Sequence, residues 1–385
     1  MGKRAALGVV VAIVALAVAG CQGRGGAGAR PAPTPALTYD EALQRAKQAF
    51  AEKRWERCVK FAGAALAQRP DDPAALALRG RSYHALERYK EAAADLKRAA
   101  GEIKDDAELF LALTDCLDAL NRVEEAQRAA ARAAELLPDD PEAHLANGLL
   151  LLELERFAEA HRALAVADDL SPNNPAVLLA LARASLGQGE YDRAIDEAER
   201  AVRAAADEAI SRGEQPAPED LLPVTVEVKA YLLKGNEESA RVAQHLLEQY
   251  LEDVGEDWKA RAEMAWAVLD AGQAQLAAKC VKEVVREKEA QPEARAAYAA
   301  ALLALGRDFD TAQRCIDTAL AHLTPAPPRY LAVKGWLAFK LGKTAEAERA
   351  LSAAVAATRT PSERERWGKL LRIVRQSRSQ ASAGE

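Results

Sequence analysis

A chain of 385 residues with net charge −6 and pI ≈ 5.7 lacks the basic excess that phosphate-backbone binding needs, which argues against nucleic acid as a partner. Half of its residues are apolar but only 5% are aromatic, and alanine is abundant, a composition suited to closely packed helices and not to a β-sandwich. The five cysteines (Cys21, Cys58, Cys116, Cys280, Cys315) lie far apart, without a CxxC or Cys/His cluster, so neither a zinc site nor a disulfide framework is signalled.

The chain starts with a short basic segment, Met1-Gly2-Lys3-Arg4, followed by apolar and small residues from Ala5 to Gly20. That order is the pattern of a secretory signal. It ends in Val18-Ala19-Gly20-Cys21, which resembles the lipobox of bacterial lipoproteins: a branched apolar residue, two small residues, then cysteine. The resemblance implies that 1–20 is removed and that Cys21 carries a diacylglycerol. Gln22, where Asp would imply inner-membrane retention, points to the outer membrane, with the body facing the periplasm. The alternative is an uncleaved transmembrane anchor, for which about 17 apolar residues are at the short limit. Residues 21–36 then read as a lipidated cysteine and a Gly/Pro tether. Gly23 to Gly28 satisfies GxGxxG, but without a preceding strand or following helix it lacks the mechanism of a nucleotide site.

A period emerges next. Ala92, Ala126, Ala160 and Ala194 are 34 residues apart, as are Ala65, Ala99, Ala133, Ala167 and Ala201. Trp55, Tyr89, Val123, Phe157 and Tyr191 keep the same step, and Pro70, Pro138 and Pro172 fall on multiples of it. Small residues (Ala46, Gly80, Thr114, Gly148, Ala182) occupy the positions where two helices of one unit would cross closely, and proline ends each second helix. This pattern resembles the tetratricopeptide repeat (TPR) family. The resemblance implies an all-α fold, a right-handed superhelical solenoid of helix–turn–helix repeats with a C-terminal capping helix.

Five units parse at 39–72, 73–106, 107–140, 141–174 and 175–208, making 37–208 the first repeat block. Residues 209–220, rich in Pro and Gly, read as a loop. Four degenerate units follow over 221–360, anchored on Gly235/Ala240, Gly272/Ala277, Ala312 and Gly342/Ala347. Cys280 and Cys315 take equivalent places in adjacent units, too far apart to bridge. A capping helix is expected over 361–378, started by a capping box of Ser362 and Glu365 and buried through Trp367, Leu370, Leu371 and Val374. The tail 379–385 reads as disordered.

No catalytic constellation is found. Gly342-Lys343-Thr344 lacks the correctly spaced preceding glycine of a P-loop, and the five histidines form no metal-binding pair. No cofactor, metal or small-molecule substrate is implied. The family resemblance instead implies that the first helix of each unit lines a concave groove for partner proteins. By position that groove presents Lys47, Phe50, Arg81, His84, Asp115, Asp118, Leu149, Leu152, Arg183, Leu186 and Lys229, then Trp266, Leu269, Trp336 and Phe339. Tryptophan and arginine are the natural anchors among them. The expected function is a scaffold or assembly factor at the bacterial envelope. The alternative is an envelope enzyme or sensor subunit with its site in the irregular second half.

Overall fold

The computed structural model describes residues 37–286 and 291–383. The expected signal segment, Cys21 and the tether lie outside the described residues. Tyr39–Glu385 forms one compact unit.

The described residues form nineteen α-helices. The first block pairs them as α1 (Tyr39–Ala51) with α2 (Trp55–Leu66), α3 (Pro73–Ala85) with α4 (Tyr89–Glu102), and α5 (Ala107–Ala119) with α6 (Val123–Leu136). Units 4 and 5 are α7 (Pro141–Glu153) with α8 (Phe157–Leu170), and α9 (Pro175–Gln188) with α10 (Tyr191–Ser211). The second block holds α11 (Leu222–Lys234) with α12 (Glu237–Asp253), and α13 (Trp258–Asp270) with α14 (Ala274–Val281). Then come α15 (Pro292–Ala304) with α16 (Phe309–Ala321), and α17 (Pro328–Lys340) with α18 (Thr344–Ala357). The single helix α19 (Pro361–Ala383) ends the array.

Local chemistry starts each unit. Asp72, Asp106, Asp140 and Asn174 cap α3, α5, α7 and α9, each accepting from a backbone amide in the first turn. Proline fills the first helical position of α3, α7 and α9, where its missing donor costs nothing.

Each first helix ends on one left-handed residue. In units 1 to 4 this is Lys53, Glu87, Asn121 and Glu155, with φ between 54° and 59°. In units 5 to 9 it is Gly189, Gly235, Gly272, Gly306 and Gly342. Glycine takes this conformation freely, whereas other L residues do so at a cost. In unit 8 the turn is one residue longer: Asp308 is left-handed as well and caps α16, so α14 and α16 start 35 residues apart, at Ala274 and Phe309. Cys280 and Cys315 lie at the same distance beyond those starts and take equivalent places in the two second helices. Both are buried free thiols.

In units 1 to 5 and unit 9 the two helices meet at a size-matched pair sixteen residues apart. A Cβ on Gly80 would lie 2.7 Å from Leu96 Cγ, one on Gly148 2.5 Å from Leu164 Cγ, and one on Gly335 2.7 Å from Leu351 Cγ. Where the first residue is larger, the second shrinks to alanine: Ala46 with Ala62, Thr114 with Ala130, Ala182 with Ala198. Interiors packed to crystal density demand such compensation.

Three boundaries differ from expectation. Helix α10 runs on to Ser211 because Ala205 and Ala209 continue its buried face, and a 3-10 turn at Pro218–Leu221 shortens the expected loop further. Helix α19 continues to Ala383, through most of the expected tail. It also starts differently: Thr360 Oγ1 donates to Glu363, while Ser362 lies inside the first turn and Glu365 pairs with Lys369. The Ser362/Glu365 capping box is absent because the helix begins at Pro361, two residues earlier than the box requires. Trp367, Leu371 and Val374 of α19 are buried with Leu351 and Ala354 of α18, covering the stacking face of the last unit.

Candidate functional site: a groove along the first helices

Two adjoining pockets follow the first helices of units 5 to 9. One, of about 470 Å³, takes Arg183 and Leu186 from α9, Val226 and Lys229 from α11, and Lys259 and Glu263 from α13. The other, of about 330 Å³, takes Trp266 and Leu269 from α13, Leu303 from α15, Trp336 from α17, and Arg366 and Trp367 from α19. Both share Asp270 and Arg329.

That shared pair is the keystone of the groove. Asp270 Oδ2 accepts from Arg329 at 3.2 Å and from Lys229 at 3.4 Å, joining α11, α13 and α17. Arg329 also reaches Glu363 of α19 at 3.5 Å and lies 4.8 Å from the centroid of Trp266. Trp266 is stacked on Tyr330 with centroids 6.1 Å apart. Burial pushes the Tyr330 phenol well up, with Glu293 and Glu263 adding to the shift, so it stays neutral beneath the indole.

The expected partner-binding residues divide into separate groups. Arg183 and Lys229 line the first pocket, and Trp266 and Trp336 the second. Trp266 is only 8% exposed, which makes it part of the floor, whereas Trp336 is half-buried and stacks on Phe339 at 5.1 Å. Phe339 itself packs against the α17–α19 core. Arg81, His84 and Asp115 lie in units 2 and 3, away from both pockets: Arg81 pairs with Asp106, and His84 meets Asp115 at 3.1 Å. Leu149 is exposed, while Leu152 is buried in the core of units 4 and 5. Asp270 and Arg329, which join the two pockets, carry no repeat-position signal, because their partners lie one or two units away.

Buried polar side chains form one further cluster. Glu197 accepts from Ser185 Oγ at 2.6 Å, lies 3.0 Å from His161 Nε2, and pairs with Arg193 at 3.1 Å. Arg193 also lies 3.3 Å from His161 Nδ1, which assigns the imidazole proton to Nε2. The Ser185 hydroxyl points at the carboxylate and not at the imidazole, so no nucleophile–base pair is assembled. Among the described residues no group of three or more His, Cys, Asp or Glu could hold a metal, and no helix is long and apolar enough to cross a membrane.

Tetratricopeptide repeat models match residues 83–148, 151–212 and 299–363, together about half of the sequence. The chain belongs to the tetratricopeptide repeat family. Among solved TPR structures, it is 22% identical to YrrB, titled a TPR protein with an unusual peptide-binding site, covering 43% of this chain and 86% of that one at a TM-score of 0.41. It is 17% identical to MamA over 43% of this chain and 91% of that one, with a TM-score of 0.39. A tetratricopeptide repeat protein from Parabacteroides merdae is 12% identical over 87% of this chain and 98% of that one, with a TM-score of 0.44. No curated protein sequence matches the chain. TPR proteins are generally non-enzymatic scaffolds that bind other proteins.

Proposed function

We propose that this TPR protein is a membrane-anchored scaffold or assembly factor of the bacterial cell envelope, and that its partners enter the groove of units 5 to 9. The observation that carries the reading is the continuity of the two pockets through Asp270 and Arg329. Together they offer what a protein ligand needs: an aromatic floor, apolar walls, and charges of both signs at the rim. The anchor rests on the Val18-Ala19-Gly20-Cys21 sequence, which would leave the body facing the periplasm on a tether ending at residue 36. Gln22 favours the outer membrane.

The test is affinity capture of the full-length protein from its own membranes, comparing wild type with Trp336→Ala and Cys21→Ser. Loss of a defined set of envelope proteins by more than about tenfold in Trp336→Ala supports the groove, as expected for a tryptophan hot spot. Unchanged capture in that variant refutes it. The anchor is read by mass spectrometry of the N-terminus, with Cys21→Ser as the unacylated control; a wild-type chain that keeps residues 1–20 and an unmodified Cys21 would show that the segment is an uncleaved span and the lipid anchor is wrong.

A further inference from the structure

The array touches itself. The linker between α18 and α19 lies against the turns that end α5 and α7, more than 200 positions earlier in the chain. Arg359 pairs with Asp118 and donates from Nε to Glu153 Oε2 at 2.6 Å. The Ser362 amide donates to Glu155 Oε2 at 3.0 Å, and its hydroxyl bonds to the other oxygen of the same carboxylate. Asn121 Nδ2 reaches the carbonyl of Ala357 at 3.5 Å.

We propose that Arg359 and Ser362 form an intramolecular clasp that holds the superhelix closed, and that the closed and open forms interconvert. This inference goes beyond the scaffold reading and does not depend on the anchor or on any partner.

Three observations carry it. The contacts follow the helix dipoles. Asp118 and Glu153 sit at the carboxyl ends of α5 and α7, where a guanidinium is favoured, and Glu155 sits at the amino end of α19, where a carboxylate is favoured. The contacts also come from two successive units. Asn121 and Glu155 hold the left-handed turn positions of units 3 and 4, so the linker meets the same place in two neighbouring repeats. Finally, the strength is suited to a switch. Arg359 is 34% exposed and Glu153 37% exposed, so each pair is screened by solvent and contributes little alone. Several such contacts acting together hold a closure that salt or a competing cation can release.

Opening has a consequence for the groove. Glu363, one turn beyond the clasp, accepts from Thr358 and Thr360 and meets Arg329, and it lines the pocket of Trp266, Trp336 and Trp367. Releasing Arg359 frees the segment that positions this wall.

The test uses the full-length chain carrying Glu155→Cys and Ser362→Cys, with a short bismaleimide as cross-linker and intramolecular cross-linking as the readout. The buried native thiols compete poorly, since burial raises Cys116 and Cys280 to about 12. Arg359→Glu in this background is expected to lower the rate about tenfold, and raising salt from about 0.05 to 1 M should lower it severalfold with Arg359 intact. Adding Asp118→Lys to Arg359→Glu should restore most of the rate. Equal rates in all variants and salts would overturn the proposal, leaving the apposition to helix packing alone. Failure of the Cys pair to cross-link at all, in protein whose circular dichroism matches wild type, would overturn it as well. Acrylamide quenching of tryptophan in Arg359→Glu without the new cysteines checks the same opening independently and should rise; unchanged quenching would contradict the coupling to the pocket wall.

Discussion

Gly148 and Leu164 share one volume: the leucine, fully buried, fills the space that a side chain at position 148 would need. Gly148→Ala removes a helix-disfavoured glycine, a gain of about 1 kcal/mol in an exposed helix. Here the added methyl meets Leu164 at 2.5 Å, so the overpacking cost of about 1–3 kcal/mol wins and stability falls. The double variant Gly148→Ala/Leu164→Ala recreates the Ala182/Ala198 pair of unit 5. A double-mutant cycle by urea unfolding should give a coupling of about 0.5–3 kcal/mol; additive effects would contradict the shared volume.

Glu227 in α11 is buried and stands near Glu199 of α10, with no ion-pair partner among the described residues. Burial, reinforced by Glu199, raises its carboxyl to about 7 from an ordinary 4.5. The native state therefore binds a proton that the unfolded chain has lost between these values. Stability should fall as pH rises from about 4.5 to 7 and then level, a contribution of roughly 3 kcal/mol. Glu227→Gln should raise the Tm at pH 8 and leave it nearly unchanged at pH 4.5. A variant that melts like wild type at both values would show that Glu227 is ordinary.

The left-handed turn residues make a contrasting pair. Glu87→Gly relieves a strained φ of 57° and should stabilise the protein by about 0.5–1 kcal/mol, measured from the urea midpoint. Glu155→Gly relieves an equal strain at φ 58° but loses the contacts to Ser362. It should gain less than Glu87→Gly; an equal or larger gain would mean that the Ser362 contacts contribute nothing.

The four cysteines of the repeat body are buried, and desolvation raises the thiols of Cys58, Cys116, Cys280 and Cys315 alike. A thiolate is the reactive form, so native protein should label with a thiol reagent at least about a hundredfold more slowly than urea-unfolded protein. Fast labelling of any one of them in the native state would show local opening of that unit.

Much of the fold was legible because its determinants are local and periodic. Ala92 and its equivalents recur every 34 residues, and Asp72, Asp106, Asp140 and Asn174 start helices by contacts within three residues. The turn glycines of units 6, 7 and 9 were visible too, but not their counterparts Lys53, Glu87, Asn121 and Glu155, since nothing in those residue types announces a positive φ. The groove was legible only as helix faces. Trp266 and Trp336 could be placed on first helices, but which indole stays accessible depends on Tyr330 and Phe339 as neighbours. Asp270 with Arg329, and Arg359 with Glu153, were not legible at all. They are 59 and 206 residues apart, and the superhelical path alone brings them together.

The most direct measurement is site-specific photo-cross-linking in living cells, with benzoylphenylalanine placed at Trp336 or Lys259 in the groove, or at Arg203 on the exposed face of α10. A partner seated in the groove gives defined protein adducts from positions 336 and 259 and none from 203. Adducts from position 203 with none from either groove position would contradict it, and would move the partner surface to the second helices.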